Sequence, residues 1–274
     1  MYMWQNLLAV YDSLLQWIGL IPVLLLAVLL CWTFERFIPR IVSNDEAVRR
    51  SVTIAAITLI GIVITQAYAW WAQKSVIDVF VQLKVFSIAK LPIPDWLLIL
   101  ISFLVLDFLY FLSHFILHYV PLFWRLHKIH HADEHVTAFS SLLHHPFESL
   151  VVALFITGFV VVLGVPVLVY LNFGLALALH AVFAHANVAL PTQLDRKLRI
   201  LFVTPDVHRI HHSQSITEGN SNFGAMFTIW DRLFGTYIDQ PKEPVEKLSM
   251  GLPQNSKPVA FSTKELLLFP FKGK

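Results

Sequence analysis

The sequence predicts an all-α membrane protein: a polytopic helical bundle of about four transmembrane helices carrying a cytoplasmic, histidine-rich helical cap. Three observations lead there. Of the 274 residues, 57% are hydrophobic and 14% charged, against about a quarter charged in an ordinary soluble domain. The charges also avoid long stretches. No Asp, Glu, Lys or Arg lies between Ser51 and Gln73 or between Ser149 and Leu194, and Asp107 is the one charge between Trp96 and Trp124. Finally, all thirteen histidines fall between His114 and His212.

Uncharged apolar stretches of about 20 residues read as bilayer spans, because lipid offers no partner to an exposed charge. The first runs from about Gln16 to Phe34, the second from about Val52 to Ala72 and the third from about Asp95 to His118. Glu148 to Asn187 is about twice a span's length and is interrupted near Gly164 and Pro166, as expected of a two-helix hairpin with a tight turn. Ser75 to Leu91 is apolar but carries Asp78, Lys84 and Lys90, which suits an interfacial segment. The N-terminus lacks the basic region of a signal peptide, and its first apolar run is long enough to stay as an anchor. Gln240 to Pro258, rich in Pro and Lys, reads as a loosely structured tail. The expected division is therefore 1–95 for N-terminal spans and interfacial segment, 96–240 for a catalytic domain and 241–274 for a cytoplasmic tail.

Basic residues set the expected orientation. Arg36, Arg40, Arg49 and Arg50 follow the first span, and Arg125 and Lys128 follow the third. An alternating walk of spans puts both loops and the C-terminal region on one side, the cytoplasmic side by the positive-inside rule. The net charge of +2 gives no reason to expect nucleic acid, and the lone Cys31 leaves neither a disulfide nor a cysteine-based zinc site.

The histidines then fall together at that same side. His114 and His118 stand four apart on one face at the end of the third span. His127, His130 and His131 form H-x-x-H-H just beyond it, and His208, His211 and His212 repeat the pattern. His180 and His185 lie toward the end of the hairpin's returning helix. A lone histidine in a span is ordinarily a hydrogen-bonded structural residue, but two H-x-x-H-H motifs plus H-x-x-x-H on one side point to a metal site. For His135, His144 and His145 taken singly, the structural or interfacial explanation is the stronger. Eight to ten imidazoles exceed what one ion uses, so the count favours two ions; imidazole suits zinc, iron, copper and nickel. Soluble di-iron bundles use Glu-x-x-His pairs. None occurs here, so a di-iron site would be almost wholly histidine.

Asp107, seven residues before His114 on the same helix face, is a buried carboxylate in a span and hence a functional candidate. Its expected role is to accept the free ring N–H of a ligating histidine. Asp231 and Asn187 are candidates for the same service, as is Asn222.

From about Leu98 to Tyr237 the chain resembles the fatty acid hydroxylase and sterol desaturase superfamily of membrane di-iron oxygenases. The resemblance rests on Asp107 to His118, on W-R-L-H-K-I-H-H from Trp124 and on H-H-P-F-E from His144. It continues with F-A-H-A-N from Phe183, T-P-D-V-H-R-I-H-H from Thr204, N-F-G from Asn222 and I-W-D-R-L-F-G-T-Y from Ile229. It implies that His114, His118, His127, His130, His131, His208, His211 and His212 are metal ligands, joined by His185. His180 would complete a pair, but it stands five positions from His185 where the family often has four.

The implied activity is O₂-dependent hydroxylation or desaturation of a lipid at two iron ions. No G-x-G-x-x-G or C-x-x-C-H is present, so electrons are expected from a cytochrome b5-like protein, ferredoxin or reductase. The competing readings are a histidine-site metal transporter and a zinc-dependent membrane hydrolase, for which Glu134 or Glu148 could serve as base.

Overall fold

The structure, a computed structural model, describes residue 23 and residues 26–42, 45–82 and 87–272. Among these residues there is no β-strand, only isolated bridges pairing Pro39 with Val188, Phe202 with Phe227 and Ser213 with Met250. Helix α1 covers 26–37; most of the expected first span lies outside the described residues. Among the described residues four long helices are apolar enough to cross a membrane: α2 (Asp45–Gln82), through its part Arg49–Tyr68, α3 (Asp95–Tyr119), α5 (Pro146–Leu163) and α6 (Val167–His185). The chain is an integral membrane protein.

The helix boundaries follow from local chemistry. Proline stands first in α5, where its missing N–H costs nothing. The hairpin turn between α5 and α6 uses Gly164 at φ 59°, a left-handed conformation that glycine adopts without penalty. A side chain there would also collide with Ser87, whose Cα lies 2.7 Å from the site of a Cβ. Ser87 and Ala89 both donate to the Gly164 carbonyl, at 3.2 and 3.3 Å. The turn thus holds the 3₁₀ segment Ile88–Lys90 against the hairpin. The expected interfacial segment differs in part: residues 75–82 continue α2 as one 38-residue helix, while 83–86 lie outside the described residues.

The two larger of four apolar clusters among the described residues carry most of the packing. Leu106 and Leu109 of α3, Ile156 and Val160 of α5, and Phe173 of α6 join Met226 inside the bundle. At the end where α3 and α6 finish and α5 begins, Ile54 and Ile57 of α2 meet Ile129, Leu143, Leu252, Leu266 and Phe269. Short helices form a cap over that end: α4 (Pro121–His127), α7 (Thr192–Leu198), α8 (Pro205–His211), α9 (Ile216–Gly219) and α10 (Ile229–Phe234).

The C-terminal segment departs from the loose tail that its Pro and Lys content suggests. It runs across the cap, pairing Gln214 with Ser249 and Met250, and ends in α11 (Thr263–Leu268). Arg50 stacks on Phe261, Lys128 on Phe269, and Lys257 pairs with Glu134. The reason lies in the apolar run from Leu266 to Phe271, which fills the gap between α2 and the cap. Leu266 is fully buried there. Leu266→Ala is expected to cost about 2–5 kcal/mol of stability, read as a lowered thermal midpoint of the detergent-solubilised protein; an unchanged midpoint would show that the segment is dispensable.

Candidate metal centre

The histidines converge because each sits where an element ends. His114 and His118 occupy the last two turns of α3, and Pro121 then starts α4, whose last residue is His127. A 3₁₀ turn places His130 and His131. The Thr204 side chain accepts from Val207 N–H and Pro205 follows, fixing the start of α8 with its His208 and His211. His212 caps α8 at its C-terminus, and His185 is the last residue of α6.

The imidazoles form two groups. His114, His118, His127, His131 and His211 make one, and His130, His185, His208 and His212 the other; within each group one ligand atom per residue lies within 4.8 Å of the rest. Each H-x-x-H-H motif is divided between them. His127, His131 and His211 enter the first group, His130, His208 and His212 the second. Successive residues on a helical turn point about 100° apart, so two adjacent histidines serve two different points. The groups abut, with the rings of His131 and His212 stacked at 4.5 Å.

Hydrogen bonds identify which nitrogens face inward. The Nδ1–H of His114 donates to the Phe223 carbonyl at 3.0 Å and that of His127 to Glu148 Oε1 at 2.7 Å. These oxygens only accept, so each Nδ1 carries a proton and each Nε2 is the nitrogen turned inward, the two standing 3.1 Å apart. In the second group His130 donates to the Leu143 carbonyl and His185 to that of Ala181, and their Nε2 atoms also stand 3.1 Å apart. Facing lone pairs repel unless they share a cation. His211 donates Nδ1–H to the Ser221 carbonyl at 2.7 Å, leaving a buried Nε2 without a partner; the Nε2 atoms of His118 and His131 are likewise buried and unpartnered. Burial holds His130, His131, His208 and His212 well below the ordinary imidazole range and takes His211 to about 3. These rings are therefore neutral near pH 7, the state in which imidazole binds metal. The donor set fits metal ions, with five imidazoles in one group and four in the other.

The other candidates fall elsewhere. His180 joins neither group, its ring lying 5.8 Å from Phe183 and 6.0 Å from Phe202. A spacing of five turns it roughly 140° from His185 around the helix axis. His145 caps α5, accepting from Phe147 N–H, and reaches the Leu267 carbonyl with Nε2; His135 lies 3.7 Å from Glu46.

Asp107 bonds to no histidine. It accepts from Met226 N, Phe227 N and Trp230 Nε1 and so ties the cap to mid-α3. Asn187 holds Arg209 and Ile41 instead. Asp231 accepts from the backbone of Phe223 and Gly224, steadying the loop whose Phe223 carbonyl orients His114. Asn222 fastens α8 to residue 238 through Val207 and Ile238.

The structure adds Glu148, 2% exposed, whose Oε1 accepts from both His127 and, at 2.9 Å, His144. The His144 ring lies flat on His130 at 4.6 Å. The carboxylate thus holds a member of the first group directly and braces one of the second through His144. Its sequence signal was present: Glu148 is the one charge within α5, four residues after His144, the same reasoning that singled out Asp107.

Comparison with known proteins places this chain in a wider set. The family model described as fatty acid hydroxylase matches residues 99–236. Ornithine lipid hydroxylase OlsE of Rhizobium tropici is 29% identical over 144 residues, 53% of this chain and 43% of that protein. Alkylglycerol monooxygenase of Homo sapiens is 28% identical over 151 residues, 54% of this chain and 32% of its own. Methylsterol monooxygenase 2-2 of Arabidopsis thaliana is 31% identical over 159 residues, 54% and 56% respectively. The chain thus spans about half or less of the length of these relatives. No solved structure matches it at a significant level.

Glu148→Gln keeps the side chain's shape but replaces one acceptor oxygen with a donor. It is expected to weaken metal binding by about 10–100-fold, measured by chelator competition with circular dichroism unchanged. Unaltered affinity would show that the carboxylate does not orient His127.

Proposed function

The chain belongs to the fatty acid hydroxylase family, and from that premise we propose that it is an O₂-dependent di-iron oxidoreductase that hydroxylates or desaturates a membrane lipid. The observation that carries this reading is the pair of abutting imidazole groups, five rings and four, at one end of an apolar bundle. In this reading His114, His118, His127, His131 and His211 hold one iron, and His130, His185, His208 and His212 the other. Two ferrous ions would supply the reduction of O₂ and the oxidation of an unactivated C–H bond, chemistry that no side chain performs alone.

The chain's own residues supply the rest. The Phe223, Leu143, Ala181 and Ser221 carbonyls and Glu148 hold protons on Nδ1 and keep Nε2 free for metal. Phe223, fully buried, sets its ring against those of His114, His118 and His211 and shields that side of the centre from water. The relatives are named for ornithine lipid, alkylglycerol and methylsterol, molecules whose apolar bodies lie in bilayers, and a lipid of that kind is the substrate proposed here. Hydroxylation consumes two electrons and two protons per O₂ and releases water. A separate donor, a cytochrome b5-like protein, ferredoxin or reductase, is proposed to supply the electrons.

The site end is assigned to the cytoplasmic face. Arg36, Arg40, Arg49, Arg50, Arg125 and Lys128 all border it in sequence, and such residues accumulate on the cytoplasmic side. Two groups at one end, under a cap, do not make the polar path of a transporter. Nine imidazoles exceed the three ligands of a hydrolytic zinc.

Purified protein is expected to contain about two irons per chain. Lipid mass spectrometry of cells expressing it is expected to show an O₂-dependent gain of one oxygen or loss of two hydrogens, absent with His127→Ala. One zinc per chain with activity independent of O₂ would overturn the proposal.

A further inference from the structure

Asp107 stands twelve residues from either end of α3, about 18 Å along the axis in each direction. It nevertheless accepts from Met226, Phe227 and Trp230, all residues of the cap. The cap therefore does not only rest on the bundle end. One part of it descends beside α3 to the middle of a helix that crosses the membrane, about 10 Å below His114.

The descending part is built from two chain segments. Phe202 and Phe227 form an antiparallel bridge, Val203 N–H donates to the Met226 carbonyl, and Thr228 N–H donates to that of Leu201. Its inner side packs into the bundle, with Met226, Phe202 and Phe227 among Leu106, Leu109 and Phe173. The Trp230 ring lies 5.0 Å from Phe108, and Phe234 stacks on Phe111 at 5.5 Å.

Among the described residues nothing covers the outer side, which is apolar except for the exposed Arg232. Ile200 is 69% exposed, Leu233 67% and Phe234 59%, with Leu201 and Ile229 beside them. No charged residue occurs between Arg199 and Asp206 or between Glu218 and Asp231. Asp231 itself is fully buried. Arg232 turns its guanidinium onto the Arg199 carbonyl and the Tyr237 ring. Several of its backbone N–H groups are paired internally: Met226 and Phe227 donate to Asp107, Phe223 and Gly224 to Asp231, and Phe202 to the Leu198 carbonyl. Irregular chain survives in hydrocarbon only when its polar groups are paired in this way. Just above, α7 exposes Arg196 and Lys197, giving the basic rim over apolar tip that marks an interfacial element.

We propose that residues 199–203 and 223–234 form a wedge inserted into the lipid leaflet on the site's side, its outer face Ile200, Leu201, Ile229, Leu233 and Phe234 lying against acyl chains. The continuity of this face with the lipid-facing surface of α3 argues for lipid rather than a protein partner. The inference rests on α3 crossing the bilayer and is independent of which metal the histidines hold.

The test uses the full chain in vesicles of phosphatidylcholine and phosphatidylglycerol. A nitroxide is attached at Leu233→Cys in a Cys31→Ser background, with Val259→Cys, which replaces a residue 93% exposed outside the wedge, as the reference. The ratio of collision rates with O₂, which concentrates in acyl chains, to those with a water-soluble nickel chelate is expected to be several-fold higher at 233 than at 259. Ile200→Cys reads the wedge's other segment if the Leu233 variant does not fold. Equal ratios at the wedge and reference positions would overturn the proposal.

Discussion

The hydrogen bonds that the Nδ1–H groups of His114, His127, His130, His185 and His211 donate to oxygens are the interactions on which the metal centre depends. Imidazole has two nearly equivalent nitrogens, and a buried ring left to itself can turn either one inward. Here the Phe223, Ser221, Leu143 and Ala181 carbonyls and the Glu148 carboxylate settle the choice. Those acceptors come from loops and helix ends, and their positions are fixed in turn by Asp231 under the Phe223 loop and by the first turn of α5 under Glu148. Much of the cap's polar bonding is thus in service of ring orientation.

The bundle and the cap divide the remaining work. Long apolar helices bring the ends of α3 and α6 and the start of α5 to one level, and the short helices close over them. Asp107 shows how firmly the two parts are joined. Leaving a carboxylate unpartnered inside a bilayer-spanning helix would cost several kcal/mol; three N–H donors from one cap segment compensate it. The same three bonds fix the depth at which that segment sits.

The sequence was legible where periodicity or charge spoke alone. Charge-free runs located α2, α3 and the α5–α6 hairpin, and the Gly164 turn was visible as a break. The clustering of His114, His118, His127 and the two H-x-x-H-H motifs was visible as well. What could not be read were partners set by tertiary contact. Asp107 was recognisable as a costly buried acid, but nothing in its helix indicates Trp230, 123 residues away. Asn187 shows the same: it is a candidate partner of a ligating histidine in the sequence, and the fold gives it Arg209. Glu148 stands out in the sequence as the one charge of α5, but its bond to His127, 21 residues away, is set by the fold. The C-terminal segment reads as loose because Pro and Lys dominate its composition, while a few apolar residues, Leu252, Leu266 and Phe269, determine its packing.

The division of neighbouring histidines between the two groups has a geometric consequence. His130 and His131, and again His211 and His212, are joined by single peptide units, whose Cα atoms are held about 3.8 Å apart by covalent bonds. The separation of the two groups is therefore pinned twice by bond lengths, not by how the helices lean on one another. Spans tilt and slide as a bilayer thickens or thins, and a centre whose halves sat on different helices would stretch with them. This one carries its own ruler.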